Sequence, residues 1–146
     1  MARILVVEDD DDIREAYVTQ LARDGYSVSA VATAEEALEV LDRREVDLLI
    51  VDLWLPGMDG AELCRTIRAH ERQHAFPILM ITSMRERMGI TLTQADARWA
   101  PVDCCIDKAA VAGELGAITA DLLARHAAPD VDSGAQPERA TERRRT

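Results

Sequence analysis

Short apolar runs recur along this chain, and stretches with a helical period separate them. Ile4-Leu5-Val6-Val7, Leu48-Leu49-Ile50-Val51 and Ile78-Leu79-Met80-Ile81 are continuous rather than alternating. Runs of that length without a polar face suit strands covered on both sides, as in a parallel sheet. The pattern predicts strands over Arg3–Val7, Tyr26–Val31, Val46–Val51, Pro77–Ile81 and Val102–Ile106. Ile13, Ala16, Tyr17 and Leu21 make one stripe of a helix from Asp12 to Asp24, with Asp11 or Asp12 as its cap and Gly25 as its stop. Thr33 opens a second helix, and Glu36 stands at capping-box spacing from it; Ala34, Ala37, Leu38 and Leu41 supply the inner face. Leu55 to Gly60 reads as a turn before a helix from Glu62 to Ala69. A last helix over Val111–Arg125 turns Val111, Leu115, Ile118 and Leu122 to one side.

Strand–helix units with short connections require right-handed crossovers, so the expected fold class is α/β, a doubly wound parallel sheet with helices on both faces. Met84 to Pro101 should contain a helix or its remnant, although Gly89, Thr91, Thr93 and Pro101 interrupt the period. Beyond Ala127 there is no period and little to bury, which predicts one domain over residues 1–126 and a disordered tail over 127–146.

Composition narrows this picture. Hydrophobic residues are 48% and aromatics only 3%, so the core is aliphatic. The formal net charge is -10, and residues 127–146 hold four acids and four arginines, which leaves the whole excess on the predicted domain. Such a surface repels nucleic acid phosphates. Arg143-Arg144-Arg145, beside Glu142, reads as a solvated terminus, and the tail is too short to contain a DNA-binding domain. Cys64, Cys104 and Cys105 form neither a disulfide framework nor a metal spacing, and the adjacent pair reads as small apolar fillers at a strand. The N-terminus has no signal-peptide pattern, and strand-length apolar runs cannot span a bilayer. The expectation is a cytoplasmic protein without membrane insertion.

Chemistry enters at the strand ends. Glu8 and Asp9 follow the first apolar run and Asp52 follows another. One acid at a strand end is usually a solvated boundary residue; three at two matching ends are not. If those strands are neighbours, the carboxylates converge at the C-terminal edge of the sheet, where open α/β folds place ligands. Crowded carboxylates repel unless a hard divalent cation lies between them, so the set predicts Mg2+, with Mn2+ as a substitute. Asp10, Asp11 and Asp12 fit the first turn of a helix better than the pocket. Thr82 and Lys108 close two further strands. Cation, carboxylate, hydroxyl and ammonium together suit phosphoryl transfer to Asp52, with the metal and Lys108 offsetting charge and Thr82 donating a hydrogen bond. The chain has no glycine-rich phosphate loop ending in Lys-Ser/Thr, which argues against nucleotide hydrolysis. His70, His74 and His126 default to surface roles.

Taken in order, Ile4 to Asp9, Asp52 to Gly60, Thr82 and Lys108 resemble the receiver domain of two-component response regulators, including stand-alone chemotaxis-type receivers, over residues 2–126. The resemblance implies a flavodoxin-like sheet ordered 2-1-3-4-5. It also implies phosphoryl uptake from a sensor histidine kinase, a histidine phosphotransfer protein or a small phosphodonor, then self-dephosphorylation without turnover of a separate substrate. By that resemblance Glu8 and Asp9 are the acidic metal pair, Asp52 is the phosphoacceptor, and the backbone carbonyl of Trp54 completes the metal site. Thr82 is the switch hydroxyl and Lys108 the phosphate-contacting lysine. Output passes to a downstream protein that the sequence does not name.

Three departures stand out. Ala109 occupies the position where the family usually has proline, often after a cis bond; Cys105 replaces an aromatic; and Thr82 to Lys108 is several residues longer than usual. They keep two other readings in view: a phosphorylation-independent scaffold, and a receiver piece of a larger regulator or hybrid kinase. An autonomous Mg2+ phosphatase is disfavoured, because no substrate cap or separate acid–base residue is evident.

Overall fold

The computed structural model describes residues 1–69, 76–83 and 102–127. The predicted Met84–Pro101 element, His70, His74 and the tail beyond Ala127 lie outside the described residues. Five strands, β1 (Arg3–Val7), β2 (Ser27–Val31), β3 (Leu48–Asp52), β4 (Ile78–Thr82) and β5 (Cys104–Asp107), form one sheet in the order β2-β1-β3-β4-β5. All four pairings are parallel. The described helices are α1 (Asp11–Arg23), α2 (Ala34–Arg43), α3 (Gly60–Arg68) and α4 (Val111–Ala127), the last entered through a 3-10 turn over Lys108–Ala110.

The continuous apolar runs follow from burial on both faces. Leu5, Val7, Leu49, Val51, Ile78 and Met80 face α2 and α3, where Ala37, Leu41, Leu63, Cys64 and Ile67 meet them. The alternate residues Ile4, Val6, Leu48, Ile50, Leu79 and Ile81 face α1 and α4 and pack with Tyr17, Leu21, Leu115 and Leu122. The doubly wound α/β architecture and the flavodoxin-like 2-1-3-4-5 order are therefore as expected. Among the described residues, no helix is long and apolar enough to cross a membrane.

The element ends differ from the sequence expectation by a residue or two, for local reasons. Asp10, not Asp11 or Asp12, caps α1: its Oδ1 accepts from the Ile13 N–H at 3.0 Å, and the next two aspartates fill the first turn. Helix α3 starts at Gly60 rather than Glu62, because Asp59 accepts from the Glu62 N–H at 2.8 Å. Strand β2 starts at Ser27, one residue late. Strand β3 starts at Leu48 and includes Asp52 as its last residue, and β4 likewise includes Thr82. Strand β5 begins at Cys104 and ends at Asp107, and α4 runs two residues past Arg125. Gly25 ends α1 with a positive φ of 99°, as its stop position requires. Thr33 and Glu36 act as predicted at α2, with the Glu36 carboxylate reaching the Ala32 N–H.

Candidate active site

The parallel register places the acids together. Val7 pairs with Val51, so the residues that follow, Glu8 and Asp52, emerge side by side at the carboxyl edge. Glu8 and Asp52 are buried, Asp9 is exposed, and oxygens from all three carboxylates lie within 4.8 Å of one another. The Glu8 N–H continues the β1–β2 ladder by donating to the Val31 carbonyl at 3.1 Å, and the Glu8 carboxylate accepts from the Asp10 N–H at 3.1 Å. Asp52 Oδ1 accepts from the Trp54 N–H at 3.1 Å.

Lys108 reaches into this edge from the end of β5. Its Nζ lies 3.2 Å from Asp52 Oδ2 and 3.2 Å from Glu8 Oε1, so one ammonium serves two buried acids. It does not satisfy both completely. Burial, reinforced by the Asp52 charge, pushes the Glu8 carboxyl up to about 7 despite the Asp10 N–H and the lysine. Burial pulls against the Lys108 ammonium, yet Asp52 and Glu8 together hold its pKa above the ordinary lysine value. Glu8 Oε1 is buried, and the Lys108 ammonium at 3.2 Å is its partner there. Three carboxylates within 4.8 Å of one another, with one ammonium shared between two of them, fit a hard divalent cation. Glu8, Asp9 and Asp52 would hold Mg2+, which would offset charge among them.

Thr82 ends β4 fully buried, where the ladder sets Ile81 opposite Asp52 and Thr82 opposite Asp107. The strand ends thus bring Glu8, Asp9, Asp52, Thr82 and Lys108 to one edge. Trp54 follows β3 into the loop, and its half-buried side chain packs against the core beneath α2 and α3. Cys105 is buried in that same core, and burial pushes its thiol up to about 12, in keeping with an apolar filler. His126, in the last turn of α4, lies 3.5 Å from Asp103 and is not part of the Glu8, Asp9 and Asp52 cluster. Two grooves, of about 340 and 240 Å3, open at the opposite edge of the sheet and are lined by none of Glu8, Asp9 and Asp52.

The pattern of acids and apolar runs does not reveal three supports. Arg14 donates to the Glu8 carbonyl at 2.9 Å and pairs with Asp11, tying α1 to the acidic loop. Gly60 crosses tightly behind Asp52: a Cβ there would collide with the Asp52 carbonyl oxygen and lie 2.9 Å from Leu53 Cα. Asp107 accepts from the Ala109 N–H at 2.9 Å, and the described residues contain no cis peptide bond. The loop after Lys108 is thus held by a side chain, where the family usually has proline at the position of Ala109.

The sequence profile of the response regulator receiver domain matches residues 4–108. The chain belongs to that family. Among solved receivers, a putative response regulator from Chloroflexus aurantiacus J-10-fl superposes with a TM-score of 0.75 at 33% identity, covering 85% of this chain and 98% of that one. Response regulator protein TrrA from Thermotoga maritima, solved in complex with Mg(2+)-BeF, gives a TM-score of 0.68 at 28% identity over 84% of this chain and 99% of that one. The transcriptional regulatory protein GltR of Pseudomonas aeruginosa is 42% identical over 55% of this chain but only 33% of its own length. The curated relative AfsQ1 of Streptomyces coelicolor is likewise matched over 40% of its length. This receiver has the acidic cluster and lysine that suit a phosphoaccepting aspartate, autocatalytic phosphorylation chemistry and phosphorylation-dependent signalling.

Proposed function

We propose that this receiver accepts a phosphoryl group on Asp52 from a sensor histidine kinase or a histidine phosphotransfer protein and reports it through protein contacts. The observation that carries the reading is the Lys108 ammonium, 3.2 Å from the buried Asp52 carboxylate on the edge where Glu8 and Asp9 crowd it. In this reading Asp52 is the nucleophile toward phosphorus. Lys108 offsets charge on the phosphoryl oxygens, and the Thr82 hydroxyl donates to one of them. Glu8, Asp9, Asp52 and the Trp54 carbonyl hold Mg2+. That TrrA was solved in complex with Mg(2+)-BeF supports a metal-assisted acceptor.

The working unit is residues 1–126, with 127–146 as a tail. A histidine-kinase donor acts in the cytoplasm, and we assign the receiver there. The two curated relatives cited above extend well beyond the matched part, so what they regulate does not transfer to this chain.

Incubation with Mg2+ and acetyl phosphate, followed by intact mass, tests the reading. One acid-labile phosphoryl group per chain is expected, and chelator or Asp9→Ala should prevent it. Complete labelling in chelator would overturn the metal's role. The absence of any label would favour the phosphorylation-independent scaffold.

A further inference from the structure

We propose that Asp107 is a positioning residue that fixes Lys108 at the phosphorylation site through a hydrogen bond that only a non-proline residue at position 109 can supply. The proposal rests on reading Asp52 as the phosphoacceptor. Asp107 is the last residue of β5 and the N-cap of the 3-10 turn over Lys108–Ala110. Its Oδ1 accepts from the Ala109 N–H at 2.9 Å, a bond that closes across Lys108, the residue between acceptor and donor. The other carboxylate oxygen, Oδ2, is buried and has no hydrogen-bond partner among the described residues. The turn is therefore the interaction to which this carboxylate is committed.

Geometry explains why such a latch is needed here. Lys108 must bring one ammonium to two buried acids at 3.2 Å each, using a flexible four-carbon stem. A long side chain meets two partners only if its backbone root is held. On one side the root is held by the β4–β5 ladder, where Asp107 lies opposite Thr82. On the other side, proline would restrict φ through its ring but has no N–H to donate. Ala109 has the N–H without the ring, and Asp107 uses it. Aspartate at 107 and a non-proline residue at 109 thus work as a pair.

An ordinary helix cap would also explain the bond, but its loss would lower the melting temperature and leave the lysine's function alone. The test compares Asp107→Ala, Asp107→Asn, Ala109→Pro and Ala109→Gly with the parent. The readouts are melting temperature, the initial rate of labelling by acetyl phosphate with Mg2+, and 13C relaxation of the Lys108 Cε group in the metal-free protein. Asp107→Ala and Ala109→Pro should slow labelling by about fivefold, the order expected for losing one such cap, and should mobilise the Lys108 methylene. Asp107→Asn keeps an acceptor and Ala109→Gly keeps the donor, so both should retain a restrained Lys108 and rates near the parent's. Equal Lys108 relaxation in all five proteins would overturn the latch, even if melting temperatures fall. A parent that takes no label would instead overturn the phosphoacceptor reading, and the relaxation data would still decide the latch.

Discussion

The Lys108 ammonium stands 3.2 Å from Asp52 Oδ2 while also facing Glu8, so the cation at this edge is shared. Replacing Lys108 with Met leaves two buried carboxylates without it. We expect a loss of about 2 kcal/mol at pH 8, discounted from the cost of breaking a fully buried pair because the lysine is partly exposed. At pH 5, where Glu8 takes up a proton, the loss should be smaller. Labelling of Asp52 should slow by about 100-fold, as when one preorganised charge or donor is removed. Thermal melts at the two pH values and labelling rates check both parts; equal destabilisation at pH 5 and 8 would contradict the shared-cation account.

Glu8 makes the metal-free fold sensitive to pH. Its folded-state pKa, about 7, lies above the ordinary carboxylate value of 4.5, so the folded protein holds this proton more tightly than the unfolded chain. That contribution to stability is complete below pH 4.5 and is lost as pH rises toward about 7, by on the order of 2 kcal/mol. Denaturant melts of the chelated protein should show this decline, and Glu8→Gln should flatten it and raise stability at pH 8. Mg2+ should restore stability to the parent above pH 7 but not to Glu8→Gln.

Much of this arrangement is readable from the residues because burial on both faces demands the continuous runs at β1, β3 and β4, and the acids stand directly at their ends. The caps are harder. Asp9 to Asp12 present four aspartates in a row, and only the backbone direction at Asp10 shows which one caps α1. Arg14 could not be found from side-chain patterning, since its partner at the site is the Glu8 main-chain carbonyl. The start of β2 shifts because this edge strand alternates Ser27 and Ser29 with partly exposed apolar residues, a weak signal beside the central strands.

Gly60 matters for a reason that is equally hidden: its neighbour is the backbone of Asp52 and Leu53, which cannot move without moving Asp52. Gly60→Ala should cost about 2 kcal/mol or more. A methyl group added at Gly113 in α4 would meet nothing within 4 Å, and Gly113→Ala should stabilise the fold by about 0.5–1 kcal/mol. Urea melts of the two variants should therefore shift in opposite directions, and matching shifts would contradict the close approach at Gly60.

The central claim is that Asp52, and not one of the acids beside it, carries the phosphoryl group. Borohydride reduces an acyl phosphate to an alcohol, so a phosphorylated aspartate becomes homoserine. After labelling with Mg2+ and acetyl phosphate, reduction and peptide mass mapping should find homoserine at position 52 alone, and none when Mg2+ is chelated. Reduction at Asp9, or no reduced residue in a fully folded sample, would contradict the account.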